Sequence, residues 1–128
     1  MRLFIADDSE IVRSRLIGML SEFKEIDIVG EATTAQEAIE SIRELIPDVA
    51  ILDVRMPDGN GIEVLETLMK ENISTKFIIF TNYPYIQYRK RCLDAGAEFF
   101  FYKAAEFEKL IKVLKQLIPY YRKTEKSQ

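Results

Sequence analysis

Val49-Ala50-Ile51-Leu52-Asp53, followed by Met56-Pro57-Asp58-Gly59-Asn60-Gly61, decides the fold. Apolar residues without alternation are what a strand covered on both faces requires, and the Pro and Gly beyond them mark a loop. The strand therefore delivers one carboxylate, Asp53, to an irregular turn, which makes it a candidate nucleophile. Phe77-Ile78-Ile79-Phe80 is apolar in the same unbroken way, and further runs lie near positions 2, 27 and 99. Each run is followed by a segment with helical spacing. Repeated βα units predict an α/β protein, a doubly wound five-stranded parallel sheet with five flanking helices.

The expected helices differ in clarity. Val12, Leu16, Met19 and Phe23 step by 4, 3 and 4 behind Asp8-Ser9, which can supply an N-cap oxygen. Thr34-Ala35-Gln36-Glu37 has the capping-box pattern, and Ala35, Ala38, Ile39, Ile42 and Leu45 share a face before Pro47 ends the helix. A third helix over 62–70 uses Leu65, Leu68 and Met69 and starts after Gly61 frees the backbone to turn. A fourth, over 85–95, has no clean apolar stripe. In the fifth, Phe107, Leu110, Leu114, Leu117 and Tyr121 step by 3, 4, 3 and 4, with Lys109, Lys112 and Lys115 turned away. One domain over 1–121 is expected, with 122–128 as a frayed C-terminal tail.

With 128 residues, 48% apolar and 30% charged, the chain has the composition of a globular domain. No apolar run approaches the roughly 18 residues of a membrane span, and the N-terminal run is too short for a signal segment, so a cytoplasmic location is expected. The single Cys92 excludes an intrachain disulfide. The absence of His is more informative: it excludes Ser-His-Asp and Cys-His catalysis, His-ligated zinc and phosphohistidine on this chain. A net charge of -3 leaves no electrostatic footprint for duplex DNA. The basic stretches Arg89-Lys90-Arg91 and 122–126 read as solvated faces.

Open α/β sheets bind ligands at the carboxyl edge of their strands, so the strand ends carry the chemistry. Those ends are Asp7 and Asp8, then Asp53, then Thr81, then Lys103. Singly, each has an ordinary explanation: Asp-Asp before a helix caps it, a terminal Thr turns, and a Lys is solvated. Together they crowd carboxylates, and two of these about 4 Å apart repel by about 4 kcal/mol at an effective dielectric near 20. A divalent cation answers that repulsion. Mg2+ suits hard oxygen ligands and commonly works beside phosphoryl groups, and with Lys103 it would neutralise three carboxylates.

At this point the chain resembles the response-regulator receiver domain, over about residues 2–117. The acidic pair Asp7 and Asp8, Asp53 with the loop Val54-Arg55-Met56-Pro57-Asp58-Gly59-Asn60-Gly61, the hydroxyl Thr81, and Ala95-Gly96-Ala97 leading through an aromatic strand to Lys103 fall in that family's order. The resemblance implies a flavodoxin-like fold of strand order 2-1-3-4-5 and a two-component phosphoacceptor, a switch rather than an enzyme. It implies that Asp53 takes a phosphoryl group from the phosphohistidine of a histidine kinase or phosphotransfer protein. Mg2+ would be held by Asp8 and Asp53, by Asp7 mainly through water, and by the Arg55 carbonyl. Lys103 and Thr81 would meet phosphoryl oxygens. Phe100, three positions before the Lys, would fill the gap left when Thr81 moves, or is simply a core aromatic.

The resemblance also implies that the surface of the fourth helix, fifth strand and fifth helix is read by an effector protein or a missing output domain, and that phosphorylation promotes a homodimer there. No direct nucleic-acid contact by this chain and no membrane partner are expected. The stretch after Lys103 looks like receivers that precede a helix-turn-helix domain, so the chain fits either a stand-alone module or the first domain of a transcription regulator. Ala104 follows Lys103 where the family often has Pro after a cis bond, and Asn82 replaces a usually small residue. A Mg2+-dependent phosphohydrolase would also cluster carboxylates at strand ends. Such enzymes place a second Asp two residues after the nucleophile, and that position here is Arg55.

Overall fold

The unbroken apolar runs become strands. The computed structural model describes residues 1–83 and 85–126, and side chains through Tyr121. In chain order the strands are β1 (Arg2–Ala6), β2 (Asp27–Ala32), β3 (Val49–Leu52), a two-rung antiparallel ribbon of β4 (Arg55–Met56) and β5 (Gly59–Asn60), then β6 (Lys76–Thr81) and β7 (Phe99–Tyr102). The main sheet has the order β2-β1-β3-β6-β7 and every pairing in it is parallel. Leaving out the ribbon, this is the expected order 2-1-3-4-5. The helices are α1 (Glu10–Leu20), α2 (Ala35–Leu45), α3 (Gly61–Met69), α4 (Ile86–Asp94) and α5 (Lys103–Lys126).

Alternate residues of each central strand feed two separate cores. Phe4, Ala6, Ala50, Leu52, Phe77 and Ile79 meet α2, α3 and Cys92 of α4 on one face. Leu3, Ile5, Val49, Ile51, Ile78 and Phe80 meet α1 and α5 on the other. Burial on both faces explains why period-two alternation is invisible in the composition of β3 and β6.

Helix ends follow local chemistry. Ser9 Oγ accepts the Val12 N–H of α1 at 3.3 Å, and Thr34 Oγ1 accepts that of Glu37 in α2 at 3.1 Å. The Glu37 carboxylate returns to the Thr33 N–H, one residue before the cap. Asn60 caps α3, so that helix begins one residue earlier than expected. Helix α1 stops at Leu20, leaving Phe23 in the following turn, where it still packs on the core.

The expected stripe of α5 drifts by one position at its end. Phe107, Leu110, Leu114 and Ile118 are buried, while Leu117 and Tyr121 are only partly covered, as a 3.6-residue period requires over four turns. The backbone breaks helical geometry at Glu106 (φ -126°, ψ 22°), so the residues after Lys103 form a separate first turn. Helical backbone continues through Lys126, overlapping the stretch expected as a tail, whose residues 127 and 128 lie outside the described ones. The Lys103–Ala104 peptide is trans, since the described residues contain no cis bond. Among the described residues no helix is long and apolar enough to cross a membrane.

Candidate functional site

Strand order sets the site. Because β1 lies beside β3, the residues following them emerge as neighbours: the Asp53 N–H extends the β1–β3 ladder to Ala6 O (3.0 Å), while the Asp7 N–H extends the β1–β2 ladder to Ala32 O (3.0 Å). One oxygen from each of Asp7, Asp8 and Asp53 lies within 4.8 Å of the others. Asp7 and Asp53 are buried, and Asp8 is exposed. Lys103 reaches in from the end of β7 and places its Nζ 2.6 Å from Asp7 Oδ2 and 2.7 Å from Asp53 Oδ2. Only 9% of its side chain remains exposed.

The electrostatics are those of a half-neutralised pair. Burial pushes the Asp7 carboxyl above its ordinary 3.8, although the Lys103 ammonium and the Ser9 N–H (2.9 Å to Oδ1) pull the other way. Burial works against the Lys103 ammonium, but its hydrogen bonds to Asp53 and Asp7 outweigh this and lift it above 10.5. The Lys103 ammonium pairs with two of the three carboxylates, Asp7 and Asp53, so the formal charge of these four groups stays negative. That charge and the all-oxygen donor set fit a small hard divalent ion.

Beside this cluster opens a pocket of about 270 Å³ lined by Asp53, Arg55, Thr81, Asn82, Tyr83, Tyr85 and Lys103. Thr81 closes β6; its hydroxyl is buried and accepts the Tyr83 N–H at 3.2 Å, which leaves the O–H as a donor. The Arg55 N–H points to Asp53 Oδ1 at 3.3 Å, and the Arg55 guanidinium stacks 5.7 Å from the centre of the Tyr83 ring at the pocket rim. Phe100 is buried in the α2–α3–α4 core, edge-on to Tyr102 at 5.2 Å. The ribbon after Asp53 turns back so tightly that a Cβ on Gly61 would collide with the Asp53 carbonyl oxygen. All five strand-end residues named from the sequence thus meet in one place.

Other contributors carried no signal in the pattern of strand ends. Arg13 donates from Nη1 to Asp7 O (2.6 Å) and pairs with Glu31 (3.1 Å), fixing the loop that presents the acidic pair. An Arg between Val12 and Leu16, on the face of α1 that turns inward, was the available hint. Asp58 accepts the N–H groups of Ala35 (2.7 Å) and Gln36 (3.0 Å), bolting the ribbon to the start of α2 and holding its own carboxyl below the usual aspartate range.

Comparison with known proteins identifies the family and the fold. The family model of the response regulator receiver domain matches residues 3–115. The chain belongs to that family. This receiver is 35% identical over 117 residues to the DNA-binding transcriptional activator DevR/DosR of Mycobacterium tuberculosis, covering 91% of this chain and 54% of that protein. It spans about half the length of the curated relatives it matches. Among solved structures, the signal receiver domain of the putative response regulator NarL from M. tuberculosis superposes with a TM-score of 0.83 at 26% identity, covering 92% of this chain and 95% of that one. The response regulator domain of Thermotoga maritima CheB gives 0.81 at 29%, covering 94% of each. As a receiver domain it is a module of two-component signalling, a switch domain rather than a conventional enzyme.

Proposed function

We propose that Asp53 is the phosphoacceptor, taking a phosphoryl group from the phosphohistidine of a partner kinase or phosphotransfer protein. An Asp53 carboxylate oxygen attacks phosphorus in line; the P–N bond breaks, the imidazole leaves, and an acyl phosphate forms on Asp53. The observation that carries this reading is the Lys103 ammonium 2.7 Å from Asp53 at the wall of an open pocket. A cation there orients the nucleophile and then accompanies the charge that arrives with the phosphoryl group. Asp7, Asp8 and Asp53, with the Arg55 carbonyl, would hold Mg2+, which when bound supplies positive charge toward the phosphoryl oxygens. Thr81 donates its hydroxyl hydrogen to a phosphoryl oxygen, a bond available only in the modified state. Phe100 then repacks as Thr81 shifts, and the surface of α4, β7 and α5 passes the change to a partner.

Output follows the same logic. DevR/DosR is a DNA-binding activator, and one similar solved structure is RcsB from Salmonella enterica serovar Typhimurium bound to a promoter (26% identity, TM-score 0.82). We infer a cytoplasmic module whose α4–β7–α5 surface addresses an effector or a DNA-binding domain outside this chain, with phosphorylation favouring a homodimer. The test is intact-mass measurement of wild type and Asp53→Asn after incubation with acetyl phosphate and Mg2+. One phosphoryl group per wild-type chain and none on the variant is expected. Labelling of both proteins alike, or steady turnover of a phosphomonoester without a labelled chain, contradicts the reading.

A further inference from the structure

The ladder between β6 and β7 ends at the pair Thr81↔Tyr102, one residue short of Lys103. Past that point side chains continue it. The Ala104 N–H donates to Asn82 Oδ1 at 3.0 Å, and the Tyr102 N–H donates to Glu106 Oε1 at 3.0 Å. Lys103 therefore sits between two main-chain N–H groups, each held by a side-chain oxygen. Both bonds cross irregular backbone: Asn82 lies in the loop leaving β6, and Glu106 is the residue whose dihedrals break α5. An asparagine carbonyl imitates a main-chain acceptor, so Asn82 supplies a bond where the strand no longer can.

The local need for such a clamp follows from reach. Lys103 directly follows the edge strand, while its two anionic partners follow β3 and β1, the second and third strands away. At about 4.8 Å per strand that gap is wider than a lysine stem alone can cross, so both contacts depend on where the segment after β7 places the start of the stem. A loop free to drift by 1 Å would break 2.6 and 2.7 Å contacts.

We propose that Asn82 is a positioning residue for Lys103, tying the strand end that carries Thr81 to the strand end that carries the cation, with Glu106 anchoring the opposite side. Hydroxyl and ammonium are then set by one segment, since Asn82 directly follows Thr81. The inference deepens the phosphoacceptor reading and rests on it for its consequence, but the geometry it asserts is measurable without phosphorylation.

The test uses the whole chain and nuclear magnetic resonance. Asn82→Leu keeps the bulk of the side chain and removes the acceptor; Asn82→Ala removes both; Asn82→Asp keeps the acceptor. Expected in the Leu and Ala variants are an Ala104 amide that exchanges about five- to tenfold faster, the scale of one lost hydrogen bond, and loss of the slowly exchanging Lys103 ammonium signal. The Asp variant retains both. The initial rate of labelling by acetyl phosphate falls about threefold or more in Asn82→Leu, while the unfolding midpoint drops only by the scale of that one lost hydrogen bond. Unaltered Ala104 exchange in Asn82→Leu overturns the proposal, as does a persistent ammonium signal or an unaltered labelling rate once the amide has been freed. A wild type that takes no label while its ammonium signal responds to Asn82→Leu sinks the phosphoacceptor reading and leaves the positioning role standing.

Discussion

Replacing Lys103 by Met tests whether the buried carboxylates depend on one cation. The Met keeps the stem's bulk and leaves Asp7 and Asp53 facing each other at no more than 4.8 Å between their nearest oxygens. At an effective dielectric of about 20 their repulsion is about 3.5 kcal/mol. The folded state can escape by holding a proton on one carboxyl, most readily Asp7, which burial already raises above 3.8. Holding that proton costs about 1.4 kcal/mol for each pH unit above the unfolded pKa. At pH 8 protonation is the dearer route and the full repulsion is felt. At pH 5 the penalty is capped near 1.6 kcal/mol. The direction follows from a raised folded pKa: the folded variant binds the extra proton, so its deficit is complete above that pKa and fades as pH falls toward 3.8. Urea denaturation of wild type and variant at pH 8 and pH 5 measures both numbers, and the pH 8 loss corresponds to roughly 10 °C in Tm. A deficit below about 1 kcal/mol at pH 8, or one identical at the two pH values, refutes the coupling of these groups.

Gly61→Ala forces a methyl group against the Asp53 carbonyl oxygen, which is main chain and cannot turn aside, so urea denaturation should show a loss of about 2–3 kcal/mol; an unchanged midpoint would mean the ribbon is looser than its geometry. Asp58→Ala removes the acceptor for two α2 amides, and because those bonds hold the Asp58 carboxyl below 3.8, the stability it gives is present above that pH and disappears as pH falls through the lowered value. A wild-type advantage over the variant that persists undiminished at pH 2 runs against this. Cys92 is buried, and burial pushes its thiol up to about 11, so a thiol reagent at pH 8 should label it only after denaturant is added. Rapid labelling of the native protein would show that α4 opens readily.

What was legible in the sequence tracks what is buried on two sides. β3 and β6 read as strands because helices cover both faces and leave no polar position to confuse the pattern. α4 resisted reading because Cys92 is its one buried residue, while Ile86 and Leu93 are exposed, so no stripe exists to find. The end of α5 drifted because a 3-4 repeat and a 3.6-residue helix part company after four turns. The site was legible for a different reason: parallel strands bring their ends to one edge, so a list of strand-terminal residues is already a list of neighbours. Arg13, Asn82, Asp58 and Glu106 escaped that logic. Each acts on a main-chain group, and main-chain groups are the same at every position, so no pairing of residue types marks them.

The choice of a lysine from the far edge strand has a steric consequence for the pocket. A cation supplied by β6, the neighbour of β3, would occupy the space directly beside Asp53. Supplied instead from β7, the ammonium arrives at the end of a thin stem, and the strand between contributes the small, buried Thr81. Charge reaches the carboxylates while the volume bounded by Asp53, Thr81 and Lys103 stays open. The same arrangement makes the cation's position depend on the loop after β7, so its control passes to residues that never touch the pocket's anions. Glu106 is one of these, and Asn82 serves in both capacities, lining the pocket and holding the loop.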